Sequence, residues 1–290
     1  MNGLSLSGGG TKVAALAGAA ITLLKEYKYK PDKITGVSAG SILAVPLAMG
    51  LYLETEYLAK SFTMNDVFGI SPVRKNGKLS IRAILRAIAG KESLGTQTAL
   101  IDTIKKLITP YRFEQYINGN YPDCYLCAVE YKTGQRRFFN VKHASYSEYI
   151  EIVLASSSVP VFVESVKMEG GYWYDGGVRD HIASHWLLEE FTLKNHFSIY
   201  SRPEDYNLTK GDWQPKNIMS VLSRTMEIMN TEISKNDELR EDVFAIRKGT
   251  TNTKIFMPAI LADGMYQATP ALLQEWYEIG VKTTRKKLEI

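Results

Sequence analysis

The feature that most constrains this chain is a unit that occurs twice within its first fifty residues: a short apolar stretch, a glycine-containing turn, then small apolar residues over a helical length. Residues 3–7 (GLSLS) lead into Gly8, Gly9 and Gly10, and residues 13–26 follow with helical composition. Residues 32–37 (DKITGV) turn at Ser38 into the apolar residues 41–50, where Pro46 predicts a kink. Strand, turn and helix in series predict parallel pairing, because each helix must cross back over a sheet face before the next strand. The expected fold class is α/β, a three-layer α/β/α arrangement around a central, mostly parallel sheet.

With 45% apolar residues among 290, the chain can bury such a sheet, and no Pro/Gly/Ser-rich linker divides it. One domain over residues 1–290 is expected, with residues 51–118 a mainly helical insertion or cap-like segment. Within that segment Ile81, Ile84, Leu85 and Ile88 follow i, i+3, i+4, i+7. The stripe is read as a helix packed on the sheet, the alternative being part of a mobile cap over an apolar site. Residues 125–131 and 135–139 form an expected hairpin about Thr133 and Gly134. Thereafter the pattern predicts a helix over 146–154, extended chain over 161–167, and a strand over 171–174 that ends at Asp175. A helix over 182–191 and a strand over 197–200 come next. Residues 218–234 read as a long helix whose Met219, Leu222, Met226 and Met229 are taken as core, before a strand over 254–257 and a helix over 270–287.

The 35 basic and 31 acidic residues leave +4, with no clustered basic face, which argues against a nucleic-acid partner. The local run Arg285, Lys286, Lys287 is read as a solvated helix end, where cations suit the dipole; transient contact with an anionic membrane surface is the alternative. Cys124 and Cys127 lie three apart in an expected strand, so they face opposite ways with α-carbons about 10 Å apart, beyond disulfide reach. No second cysteine pair completes a zinc site, and two packed thiols in a reducing cytosol are expected. Residues 13–24 have the apolar character of a signal-peptide core but are too short for a bilayer, which needs about 20 residues. A cytoplasmic protein is expected, at most peripheral to a membrane.

Three motifs carry chemistry. Gly36 to Gly40 (GVSAG) is a G-x-S-x-G between an expected strand and helix, where a nucleophile elbow strains the serine and the glycines remove side chains that would collide across the turn. Gly8, Gly9, Gly10 and Lys12 (GGGTK) precede the first helix, where side-chain-free amides can meet an oxyanion. Phosphate binding fits less well, because neither a P-loop nor a dinucleotide fingerprint is complete. Asp175, followed by Gly176 and Gly177 (YDGGV), is a carboxylate that burial would make more basic, next to backbone able to approach another loop closely.

Together these motifs resemble the patatin-like phospholipases, which join a G-G-G-x-[RK] loop, a G-x-S-x-G elbow and a later D-G-[GA] in a Ser–Asp dyad. The likeness continues through YLCAVEYKTGQRRFF, through ASSSVPVFVESVKMEGGYWYDGGV with its A-S-x-x-x-P start, and to a late helix containing Gly280, roughly residues 3–285. The resemblance implies Ser38 as nucleophile, Asp175 as base, and Gly8, Gly9 and Gly10 as oxyanion donors. Lys12, Gly36, Gly40, Gly176 and Gly177 would support them. It also implies a phospholipid, lysophospholipid or other fatty acyl ester as substrate, and neither metal nor cofactor. Departures from the pattern are Val13 for a frequent Gly, Pro46 within the helix after the elbow, and His181 and Ala183 where Asn and Pro often follow D-G-G.

Two other readings remain open on sequence. Ser38, Asp175 and one of His181, His185 or His196 fall in the order of a Ser–acid–His triad esterase, although only one strand precedes Ser38 and such histidines are commonly surface or capping residues. A catalytically silent lipid-binding protein of the same fold is the other.

Overall fold

A computed structural model describes residues 1–74, 78–205, 213–258 and 269–289. The chain opens with β1 (Asn2–Leu6) and, after a 3-10 turn at Gly10–Lys12, α1 (Val13–Ile21), followed by β2 (Lys33–Val37) and α2 (Ala39–Ala48). Four helices follow: α3 (Tyr52–Ser61), α4 (Ile81–Ile88), α5 (Thr98–Leu107) and α6 (Pro110–Asn118). The hairpin β3 (Asp123–Glu130) and β4 (Gln135–Asn140) leads to α7 (Tyr146–Ser156), then β5 (Val166–Met168) and β6 (Gly171–Asp175). The remainder is α8 (Ser184–Glu190), β7 (Asn195–Tyr200), α9 (Ile218–Lys248), β8 (Thr251–Phe256) and α10 (Pro270–Leu288).

The strands form one sheet in the order β5-β6-β3-β2-β1-β7-β8, with β4 paired to β3. β3, β2, β1, β7 and β8 pair in parallel, while β4 and β6 run antiparallel to β3. Helices cover both faces. The main apolar core joins one face to α1, α2, α7 and α10, and a smaller cluster of Leu187, Leu188, Leu193 and Ala245 joins α8 and α9 on the other. The fold is thus the expected three-layer α/β/α arrangement with a mostly parallel sheet.

The small residues of α1 have a packing cause. A β-carbon on Gly18 would lie 2.2 Å from the Tyr277 carbonyl oxygen, and one on Gly280 would lie 2.1 Å from that of Ala15. α1 and α10 therefore touch backbone to backbone, with glycine on each side of the crossing. The segment that resembled a signal-peptide core is the central helix of the domain's larger core. Among the described residues no helix is long and apolar enough to cross a membrane.

Cys124 and Cys127 are buried free thiols, Cys124 in the main core and Cys127 in a separate cluster with Val37 and Ala183, as opposite strand faces require.

α2 contains Pro46 and continues past it to Ala48, since a proline near a helix end forfeits one backbone bond without ending the element. Three expectations need correction. Of the expected extended stretch 161–167 only residues 166 and 167 lie in a strand, β5, because the chain first turns at Val161, whose φ is +72°. The methionine stripe of α9 is not core: Met219 is buried, Leu222 and Met226 are half-buried, and Met229 is exposed. The buried face of α9 is instead largely polar, with Thr231, Ser234, Asp237 and Glu241, so apolar periodicity pointed to the wrong side and stopped the helix at 234. Finally, the apolar stripe of α4 faces away from the body of the protein, with Ile81, Ile84, Leu85 and Ile88 all exposed and Ala83 buried.

Candidate active site

Strand register brings Ser38 and Asp175 together. Val37, the last residue of β2, pairs with Cys127 of β3, and Asp175, the last of β6, pairs with the next residue, Ala128. β4 occupies the other edge of β3 over Tyr125–Glu130, so β2 and β6 share one edge. One is parallel to β3 and the other antiparallel, so they run head-on, and their ends meet.

Ser38 has φ 53° and ψ −119°, the strained backbone of a turn that leaves its side chain at the start of α2. A β-carbon on Gly36 would lie 2.5 Å from the Gly40 carbonyl oxygen, and one on Gly40 would lie 2.5 Å from that of Leu6. The first glycine lets the elbow fold on itself. The second lets α2 descend onto β1.

Asp175 is buried, its Oδ1 accepts the Gly177 amide at 2.7 Å, and its carboxyl lies close enough to the Ser38 hydroxyl to be stabilised by it. Burial pushes the carboxyl up to about 6, and the Ser38 hydroxyl and the Gly177 amide hold it from rising further. A β-carbon on Gly176 would lie 2.5 Å from the Cys127 carbonyl oxygen, so the close approach that glycine permits is to strand β3 rather than to another loop.

The glycine loop leaves β1 beside the elbow. Gly8 lies so near that a β-carbon there would stand 3.3 Å from Ser38 Cβ. Its amide donates to the His181 carbonyl at 2.8 Å, which removes it from the set of three expected oxyanion donors. Gly9 and Gly10 stand at the start of the helical run, where an amide has no preceding turn to bond, and Gly10 takes the left-handed φ of +55°. Lys12 lies close enough to the His181 ring to act on it electrostatically.

Residues that the sequence reading passed over hold the pair in place. Ser156 Oγ accepts the Ser38 amide at 3.2 Å, and the Ser158 carbonyl accepts the Asp175 amide at 2.9 Å. Gln97 donates to the Ser158 hydroxyl, and Ser201 bonds the Gly8 carbonyl through its hydroxyl. The A-S-S-S run was the available signal: three consecutive serines directly after the apolar turn Ile152–Ala155 at the end of α7.

His185 and His196 are buried and His181 is half-buried, contrary to the surface role expected of them; His143 alone is exposed. His196 is tied to Ser5 Oγ at 2.9 Å and Asn252 Oδ1 at 2.7 Å within the sheet. His185 lies between Asp180 and Asp237, with Nε2 3.5 Å from one carboxylate and Nδ1 3.8 Å from the other. Those three offer ligand atoms within 4.8 Å of one another, but opposite ring nitrogens face the two acids and Arg136 already pairs with Asp180. Asp237 works as an anchor: its Oδ2 accepts the amides of His181 and Ile182, fixing the chain after Asp175 to α9. The His181 ring lies beside Gly8 with Nε2 3.4 Å from Ser201 Oγ, and burial, with the Arg202 and Lys12 charges, pushes it down to about 3.

An apolar pocket opens beside Ser38, bordered there by Gly10 and Ala39. Its walls include Ile42 and Leu43 of α2, Leu58 and Phe62 at the end of α3, Leu100 of α5, and Phe162. Residues 51–118 thus supply much of a chamber that ends on the serine.

A three-layer α/β/α protein with a serine elbow, an adjoining glycine loop and a buried aspartate defines a class of serine acyl hydrolases. The model of the patatin-like phospholipase family matches residues 4–185, and the chain belongs to that family. The family is one of lipid acyl hydrolases. Among solved structures the chain is similar to VipD from Legionella pneumophila, at 14% identity and a TM-score of 0.51, over 99% of this chain and 66% of that one. At that identity the likeness concerns the fold, and the chain spans about two thirds of the solved structure it matches. No curated protein matches the chain in sequence.

Proposed function

We propose that this protein hydrolyses fatty acyl esters, of phospholipid, lysophospholipid or a simpler alcohol, through a Ser38–Asp175 dyad and an acyl-enzyme. The meeting of the Ser38 elbow with a buried, basic Asp175 at the facing ends of β2 and β6 is the observation that carries the proposal. Ser38 Oγ attacks the ester carbonyl as its proton passes to Asp175, forming the C–O bond of a tetrahedral intermediate. The amides of Gly9 and Gly10 meet the oxyanion, aided by the N-terminal end of the α2 dipole. Collapse expels the alcohol or lysolipid, which takes the proton from Asp175. Water, deprotonated by Asp175, then cleaves the acyl-enzyme and restores Ser38. The apolar pocket suits the acyl chain, and Gly36, Gly40, Gly176, Gly177 and Lys12 support the geometry or potential of the two loops.

The three buried or half-buried histidines favour the dyad over a triad, because none is bonded to both Ser38 and an acid among the described residues. A fluorophosphonate probe tests the reading. Labelling of the wild type, none of Ser38→Ala, and turnover of acyl esters only by the former support it; a folded wild type that neither labels nor turns over would make the protein a silent lipid binder.

A further inference from the structure

We infer that the outward apolar face of α4 docks the protein on an anionic bilayer surface, which delivers acyl chains to the pocket beside Ser38. A helix packed on a globular body buries its apolar stripe. α4 does the reverse. Ile81, Ile84, Leu85 and Ile88 are 62, 42, 60 and 78% exposed, on an arc of about 100° at 3.6 residues per turn. Ala83, fully buried, and Arg86, bonded inward to Ser93 and Glu164, lie about 150° from the middle of that arc. Four large aliphatic side chains held in water by anchors on the opposite face form a contiguous apolar patch of the kind that marks an interaction surface.

Charge selects the occupant. No acid falls within residues 78–91, and while Arg86 is turned inward to Glu164, Arg82 and Lys91 are exposed. Arg82 is exposed on the flank of the stripe, where its stem can follow an apolar phase while the guanidinium stays among head groups. A basic amphipathic helix suits an anionic lipid surface, with the stripe in the acyl boundary and the cations at the phosphates.

Location agrees. Arg86 pairs at 3.2 Å with Glu164, which directly follows the pocket residues Phe162 and Val163 in the chain. The amides of Leu94 and Gly95, just after α4, bond the carbonyls of Val161 and Phe162 at 2.8 Å. The apolar face is therefore mounted on the wall of the chamber. This inference rests on the reading of that chamber as an acyl-ester site, and the experiment separates the two.

A Ser38→Ala chain, which cannot alter the lipid, is floated with vesicles of phosphatidylcholine and phosphatidylglycerol at about 3:1 and with phosphatidylcholine alone. The expected result is flotation with the anionic vesicles. Adding Leu85→Glu and Ile88→Glu lowers that partitioning at least about tenfold, and Arg82→Glu lowers it on anionic vesicles without changing it on neutral ones. With Ser38 intact, the Leu85→Glu, Ile88→Glu chain turns over a short, monomeric ester within about twofold of wild type, since neither residue lines the pocket. Equal flotation of the folded double variant and its parent would overturn the inference, as would a parent that does not float. A parent dimer made monomeric by the two substitutions would overturn it in favour of a second copy. Failure of the short ester to react with wild type would instead strike the acyl-ester reading, leaving the flotation result as it stands.

Discussion

Ser38, the residue after β2, and Asp175, the last of β6, stand where two strands run toward each other along one edge of β3, with Val37 and Asp175 paired to the consecutive residues Cys127 and Ala128. Their closeness is a product of sheet register. The backbone bonds from Ser38 to Ser156 and from Asp175 to Ser158 draw both positions to a single turn after α7. Because these groups are fixed by strands and a helix end rather than by loops alone, the hydroxyl and the carboxylate need little reorganisation to react.

The carboxyl of Asp175, raised to about 6, predicts an acidic limb in kcat/KM with an apparent pKa near that value, since the base must be ionised to take the proton. Its linkage to stability has the opposite sense. The folded state holds this proton more tightly than the unfolded chain, so the stabilisation is full below pH about 4 and is lost as pH rises through about 6. Asp175→Asn is expected to lower kcat at least about a thousandfold while raising stability at pH 8 by up to about 3 kcal/mol. Urea unfolding at pH 4 and pH 8 checks the second part, and the gain should vanish at the lower pH.

His181→Ala is expected to keep kcat within about tenfold of wild type. The Gly8 amide bonds the backbone carbonyl of residue 181, and that bond survives loss of the ring. Steady-state kinetics on a soluble ester decide the matter. A loss near that of Ser38→Ala would restore a histidine to the mechanism and remove the dyad.

Gly18→Ala and Gly280→Ala should each destabilise the protein by about 3 kcal/mol, because each new methyl group meets a backbone oxygen that cannot move without separating α1 from α10. Gly50→Ala is the control. It adds a methyl group with nothing within 4 Å at a φ of +72°, so only the left-handed backbone penalty of about 1 kcal/mol applies. Thermal denaturation of the three variants should rank them in that way.

Leu58→Trp should shift preference toward short acyl chains. Leu58 is a half-buried wall of the pocket, so the larger ring can be accommodated only by filling the chamber. Turnover of a short ester should stay within about threefold and that of a long-chain ester should fall more than about tenfold. A chain-length series on wild type and variant measures it.

The sequence by itself determined the layered α/β fold and singled out Ser38, Asp175 and their glycines as candidates, because elbows, tight turns and crossover helices impose local residue requirements at short spacing. Gly36 shows this directly, excluded from bearing a side chain by the carbonyl of Gly40 four residues on. Only the tertiary structure decided which amides are free, since the Gly8 donor is consumed by a residue more than 170 positions away, His181. It also decided which faces of α4 and α9 are buried. Periodicity shows that a helix has an apolar side but not which neighbour meets it, so α9 buries Asp237 and Glu241 against polar partners while α4 turns its isoleucines and leucine to solvent. Burial is a property of the assembled sheet and helices, and with it came the raised carboxyl of Asp175 and the shape of the pocket, neither of which any local spacing encodes.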